Sequence, residues 1–208
     1  MAALTLQDRR RRLPRAEREQ QLLAVAQELF AERGFRSVSM DEVALRAGVT
    51  KPILYDHFGS KDGLVVATIR QAGEQLAADI AAAIEGVDGP AALLEAGFTG
   101  FFTFAETHGR GWFTLLGDDA VAGGAALELE AIRRQQAAFV AERLAASMPR
   151  ARPEDVDAYA QAVIGACERI ALWRRDRPAL SAATATRLLM SLLWGGLASL
   201  SDGADAGA

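Results

Sequence analysis

A chain of 208 residues has room for one domain, or for a small module joined to a larger one. Half of its residues are hydrophobic, enough for a substantial core and too many for a disordered polymer. The net charge of −4 hides a mildly basic head, 11 basic against 8 acidic residues through Lys61, on an acidic remainder of 12 against 19.

The single cysteine, Cys167, rules out a disulfide framework and suits a reducing cytoplasm, the expected location. Two histidines, His57 and His108, lie far apart, so neither a metal site nor a cofactor is expected. Arg9 to Arg12 are not followed by an apolar run, which argues against a secretory signal. Leu188 to Leu200 is interrupted by serines and too short to span a bilayer, so no membrane partner is expected.

The pattern is helical almost throughout, and the expected fold is all-α with about nine helices. Residues 1–14 read as an Arg-rich flexible arm, 15–60 as a three-helix head and 61–208 as a helical body. The first helix runs from about Arg15 to Arg33, with Leu22, Ala26, Leu29 and Phe30 on one face and Gly34 as its stop. Ser39-Met-Asp-Glu42 is a capping box opening the second, which Gly48 ends. Thr50 is placed to cap the third, and Pro52 sits in its first turn, where a missing N–H costs nothing. A fourth helix starts at Ser60-Lys-Asp-Gly63 and continues to about Glu85. Gly89-Pro90 opens a fifth to about Thr107, and residues 109–117 bracket a short sixth. The seventh follows Gly123-Gly124 to about Ser147, the eighth runs from Glu154 to about Arg175, and the ninth from Ser181 to Leu200.

Two short helices joined by Ala47-Gly48-Val49-Thr50 form a helix-turn-helix signature. Such a motif offers the N-terminal end of its second helix to base edges, which makes Thr50, Lys51 and Ile53 the candidate readers. Lys51 can donate to guanine and Ile53 can meet a thymine methyl. Tyr55 and His57 carry polar tips suited to phosphate, and Lys61 opens a helix whose N-terminus also favours phosphate.

The segment from Gly34 to Lys61 closely resembles the TetR family of bacterial regulators, through Ala47-Gly-Val-Thr50, Leu54-Tyr-x-His-Phe58 and Ser60-Lys61. The resemblance implies DNA contacts at Lys51, Pro52, Ile53, Tyr55, His57 and Lys61, and a palindromic double-stranded operator. It departs at Met40 and Asp41, where relatives often carry Thr or a basic residue; Asp41 is unfavourable near phosphate and receives no contact.

The eighth helix carries a one-sided apolar stripe, and the ninth is apolar nearly all round, so it needs a second surface beyond its own core. A homodimer seam through Val156, Tyr159, Val163, Ile164, Leu189, Leu193 and Leu197 is the expectation. The resemblance implies that these two helices of each subunit form a four-helix bundle.

Six of fourteen aromatic residues fall between Phe98 and Phe113, a density that suits either an ordinary core or an apolar cavity wall. The resemblance implies a pocket for a small-molecule effector within helices four to eight. Phe98, Phe101, Phe102, Trp112 and Phe113 are its candidate walls, and His108, Glu168 and Arg169 its candidate polar anchors. Filling it at Gly100 is expected to blunt a ligand response. No nucleophile elbow, P-loop or dinucleotide fingerprint is present, so an enzyme is not expected. The expected function is a DNA-binding transcription regulator, by resemblance a repressor released by a mainly apolar ligand, with an activator or a ligand-independent binder as the first alternatives and an enzyme or a structural helical dimer behind them.

Overall fold

The computed structural model describes residues 13–108, 123–177 and 179–202, with backbone alone for 196–202. Eight α-helices and no strand occur among the described residues. They are α1 (Arg15–Arg33), α2 (Met40–Ala47), α3 (Lys51–Phe58), α4 (Lys61–Ile84), α5 (Pro90–Thr107), α6 (Gly123–Ser147), α7 (Pro153–Arg174) and α8 (Ala182–Asp202). The expected helix at 109–117 and the arm through Arg12 lie outside the described residues.

Local chemistry sets most of these boundaries. Ser39 Oγ accepts the Glu42 N–H at 3.2 Å while the Glu42 carboxylate accepts the Ser39 N–H at 2.8 Å, so two orphan donors of α2 are satisfied reciprocally. Gly48 ends α2 in the left-handed conformation, φ +67°, which a side chain would resist. Thr50 stands at the N-cap of α3 with an extended backbone, but its hydroxyl makes no capping bond. Its carbonyl accepts the Ile53 N–H instead, at 3.0 Å, and Pro52 removes one of the two donors that such a hydroxyl can serve.

The head packs α1 against α2 and α4 around Leu22, Ala26, Phe30, Val43 and the fully buried Leu54. Its junction to the body is tight. A Cβ added at Gly63 would stand 2.0 Å from the Phe58 carbonyl oxygen, so the first turn of α4 passes directly over the end of α3. Ser60 Oγ accepts the Gly63 N–H at 2.9 Å and fixes that turn.

In the body, α4 packs on α5 and α6, α6 on α7, and α8 chiefly on α5. Small residues mark the crossings: a Cβ at Gly73 would meet the Ile132 side chain at 2.6 Å, and one at Gly100 would meet Ala83 Cβ at 3.0 Å. A buried cation ties the far ends together. Arg174 Nη2 and Nε donate to the Leu180 carbonyl at 2.7 and 3.0 Å, and the guanidinium also pairs with the Glu106 carboxylate. A buried arginine is tolerated only when satisfied in this way, and it joins α5, α7 and the turn into α8.

Candidate functional site: the recognition face and the cavity behind it

The exposed face of the head is the N-terminal half of α3. Thr50, Lys51, Pro52, Ile53 and Tyr55 are all exposed, whereas Leu54 points into the core and Phe58 packs against it. An exposed Ile and Tyr on a short helix are costly to leave in water and are what a groove-reading surface presents.

The charged residues of this face are held by partners within the head. Lys51 Nζ donates to Asp41 Oδ2 at 2.9 Å, and that hydrogen bond, with the carboxylate's charge, holds the ammonium above the ordinary lysine range. Lys61 Nζ donates to the Arg36 carbonyl at 2.9 Å, which places its charge beside the loop that follows α1. Arg15 donates to the Asp56 carboxylate at 3.1 Å and masks the one acid of α3. His57 departs from expectation. Its side chain is 6 % exposed and turned under the helix toward Glu19, Nδ1 standing 3.5 Å from the carboxylate without a hydrogen bond, so the ring packs between α3 and α1 with little surface left for a phosphate.

Behind the head, α4, α5, α6 and α7 enclose a cavity of about 400 Å³. Its α4 wall is a single stripe, Gly73, Ala77, Ile80 and Ile84, at the spacing of one helix face. Phe98 and Phe101 line it from α5, Phe139 and Val140 from α6, Ile164 and Cys167 from α7, and Trp194 from α8.

Only part of the expected pocket is brought together. Phe102 is fully buried outside the lining, beneath the Arg174 guanidinium. His108 caps the end of α5, exposed and stacked on Phe104 at 5.1 Å between ring centroids. Glu168 is taken by Arg133, whose Nε donates to both carboxylate oxygens at 2.9 and 3.1 Å, and Arg169 is exposed. Gly100 faces the backbone of α4, not the cavity; Gly97, one turn earlier, opens into it with nothing within 4 Å of an added Cβ. Trp112 and Phe113 lie outside the described residues.

The polar groups of the lining were missed in the sequence. They are Gln135, Gln136, Arg143 and Ser147 on α6. The signal available was Gln136 and Arg143 within an otherwise apolar face, Ile132, Phe139, Val140 and Leu144, at helical spacing. Burial pushes the Cys167 thiol far up from its ordinary range, so it holds no thiolate at neutral pH and cannot act as a nucleophile.

The residues expected at the dimer seam occupy different environments within the subunit. Val156, Val163 and Leu189 are buried in the subunit's own core, and Ile164 turns to the cavity. Tyr159 and Leu193 are half-buried, and the Leu197 side chain lies outside the described set. The outward faces carry different residues: Ala158, Ala162 and Gly165 on α7, and Leu188 and Leu192 on α8, with Leu192 71 % exposed.

Two family models match the chain, bacterial regulatory proteins of the tetR family over residues 22–68 and the tetracyclin repressor-like C-terminal domain over residues 90–196. The chain belongs to the TetR family. A solved TetR-like transcriptional regulator from Rhodococcus sp. RHA1 is 34 % identical, with a TM-score of 0.73 over 90 % of this chain and 99 % of that one. The transcriptional activator FasR of Mycolicibacterium smegmatis is 39 % identical over 110 residues, 53 % of this chain and 50 % of FasR. The regulator BetI of Brucella suis biovar 1 is 31 % identical over 101 residues, 47 % of this chain and 50 % of BetI. The matched region thus spans about half the length of these curated relatives. Family and relatives are DNA-binding transcription regulators, not enzymes; the first matched segment covers most of the three head helices and the start of α4, and the second runs from α5 into α8. Among the described residues no helix is long and apolar enough to cross a membrane.

Proposed function

We propose that the chain works as a cytoplasmic homodimer that grips a palindromic operator with two α3 helices and changes its grip when a small, mainly apolar molecule fills the cavity. The carrying observation is that α4 belongs to both sites: its distal half walls the cavity, and its first turn is locked over Phe58 at the end of α3. A ligand that alters the tilt of α4 therefore moves the recognition helix. Two rigid heads must match half-sites about 34 Å or more apart, so a small tilt suffices to misalign them. The ligand must favour one arrangement by several kcal/mol, since affinity shared by both states shifts nothing.

The homodimer reading rests on the apolar outward faces of α7 and α8, with small residues on α7 that allow close helix approach. Thr50, Lys51 and Ile53 are the base-facing set, with Pro52 shaping the helix start and Tyr55 and Lys61 beside the backbone. Release from the operator on ligand binding makes the protein a repressor. A second reading, in which bound protein recruits transcription, is favoured by the activator name of FasR, and it uses the same two sites.

The test is selection of genomic fragments by the purified protein, followed by quantitative binding to the enriched sequence. The expected result is a palindromic motif bound by one dimer. No enrichment over random fragments, or a monomer at micromolar concentration that binds as well, overturns the proposal.

A further inference from the structure

The polar groups of the cavity are unequally distributed, and their chemistry selects a ligand class. Resting on the ligand-cavity reading above, we propose that the cavity takes an elongated amphipathic monoanion, a carboxylate on a long apolar body, with the carboxylate held between Gln136 and Arg143.

The shape comes from α4. Its lining stripe runs from Gly73 to Ile84, which at the helical rise is about 16 Å of wall, and aliphatic and aromatic side chains cover most of the rest. Gln136 Nε2 is buried with no hydrogen-bond partner, a donor facing the cost of desolvation without an acceptor. Arg143 supplies the charge. Its guanidinium carbon stands 3.3 Å from the centroid of the Phe139 ring, and Nη1 donates to the Phe139 carbonyl at 3.1 Å.

The Arg143 side chain is thus folded back one turn along α6, toward the level of Gln136, in the direction helical side chains favour. Among the described residues Glu142 is the acid paired with it, 3.5 Å away and 80 % exposed, too well solvated to neutralise the site. A guanidinium has five donors, and two neighbours on its own helix leave most of the fork for a ligand. Among the described lining residues there is no aspartate or glutamate, so nothing repels a carboxylate or recruits an amine.

Dodecanoate, methyl dodecanoate and dodecylamine separate the head-group claim from the cavity claim, read by titration calorimetry below their micelle-forming concentrations. Wild type should bind dodecanoate about tenfold or more tightly than the ester, and the amine least. Arg143→Gln should lower dodecanoate affinity to that of the ester and leave the ester unchanged; Gln136→Leu should lower dodecanoate in part. Arg143 is partly exposed, so the variant should keep the wild-type melting temperature. Equal binding of acid and ester by wild type, or an Arg143→Gln loss shared by both, overturns the carboxylate assignment while leaving the cavity in place. If none of the three binds and Gly97→Leu changes nothing, the cavity reading itself fails.

Discussion

Two glycines one turn apart on α5 offer a sharp test of where the ligand space lies. A side chain at Gly97 enters the cavity, whereas one at Gly100 meets Ala83 Cβ at 3.0 Å, Ile80 Cα at 3.2 Å and the Asp79 carbonyl at 3.4 Å. Gly97→Leu removes a helix-interior glycine, worth about 0.5–1 kcal/mol, and buries part of an apolar side chain, worth about 1 kcal/mol more. The expected gain of about 1–2 kcal/mol corresponds to a rise of about 2–8 °C in melting temperature for a chain of this size. Gly100→Leu has the same helix gain, but its neighbours are helix backbone that cannot rotate away. Overpacking of about 1–3 kcal/mol or more then forces α4 and α5 apart. Thermal melts give the first readout, and calorimetric titration of dodecanoate gives the second, with Gly97→Leu losing most of the binding while keeping operator affinity. A Gly97→Leu protein that is destabilised, or that binds dodecanoate as wild type does, would show that the ligand space does not lie beside Gly97.

On the head, Lys51→Ala should relax base preference and cost roughly an order of magnitude in operator affinity. Asp41→Asn should tighten binding in the wild-type background and much less beside Lys51→Ala, a coupling that a double-mutant cycle on operator affinity measures. At the proposed dimer face, Ala162→Glu with Leu192→Glu should yield a folded monomer by sedimentation, while Val163→Glu should abolish folding because that side chain is internal. The Arg70–Glu128 clasp between α4 and α6 gives a pH signature: a hydrogen bond from Arg70, then its charge, holds the Glu128 carboxyl below its usual value. Its contribution is complete above the ordinary glutamate range and is lost as pH falls through the lowered value, so Glu128→Gln should flatten that part of the acid melting curve.

What the sequence made legible was local. The Ser39–Glu42 box, the Gly48 stop and the Gly89-Pro90 start depend on residues a turn apart, and the helix limits follow them closely. The direction in which a side chain leaves its helix depends instead on which neighbours cross there. His57 shares a face with Ile53 by spacing, yet α1 covers the ring and leaves Ile53 open. Phe102 belongs to the aromatic cluster by composition, yet its position on α5 puts it outside the cavity lining and beneath Arg174. The stripe of Val156, Val163 and Leu189 was visible as apolar, but apolarity alone does not distinguish a subunit's own core from a partner's surface. Glu168 looked available because its partner, Arg133, lies 35 residues away on another helix.

The proposed mechanism requires the cavity and the recognition helix to be thermodynamically coupled through α4. It is tested most directly by measuring dodecanoate affinity with and without saturating operator, and operator affinity with and without saturating dodecanoate. Coupling requires the two ratios to be the same factor, of the order of 5- to 150-fold. Dodecanoate that binds equally well to free and operator-bound protein would contradict the account, however tightly it binds.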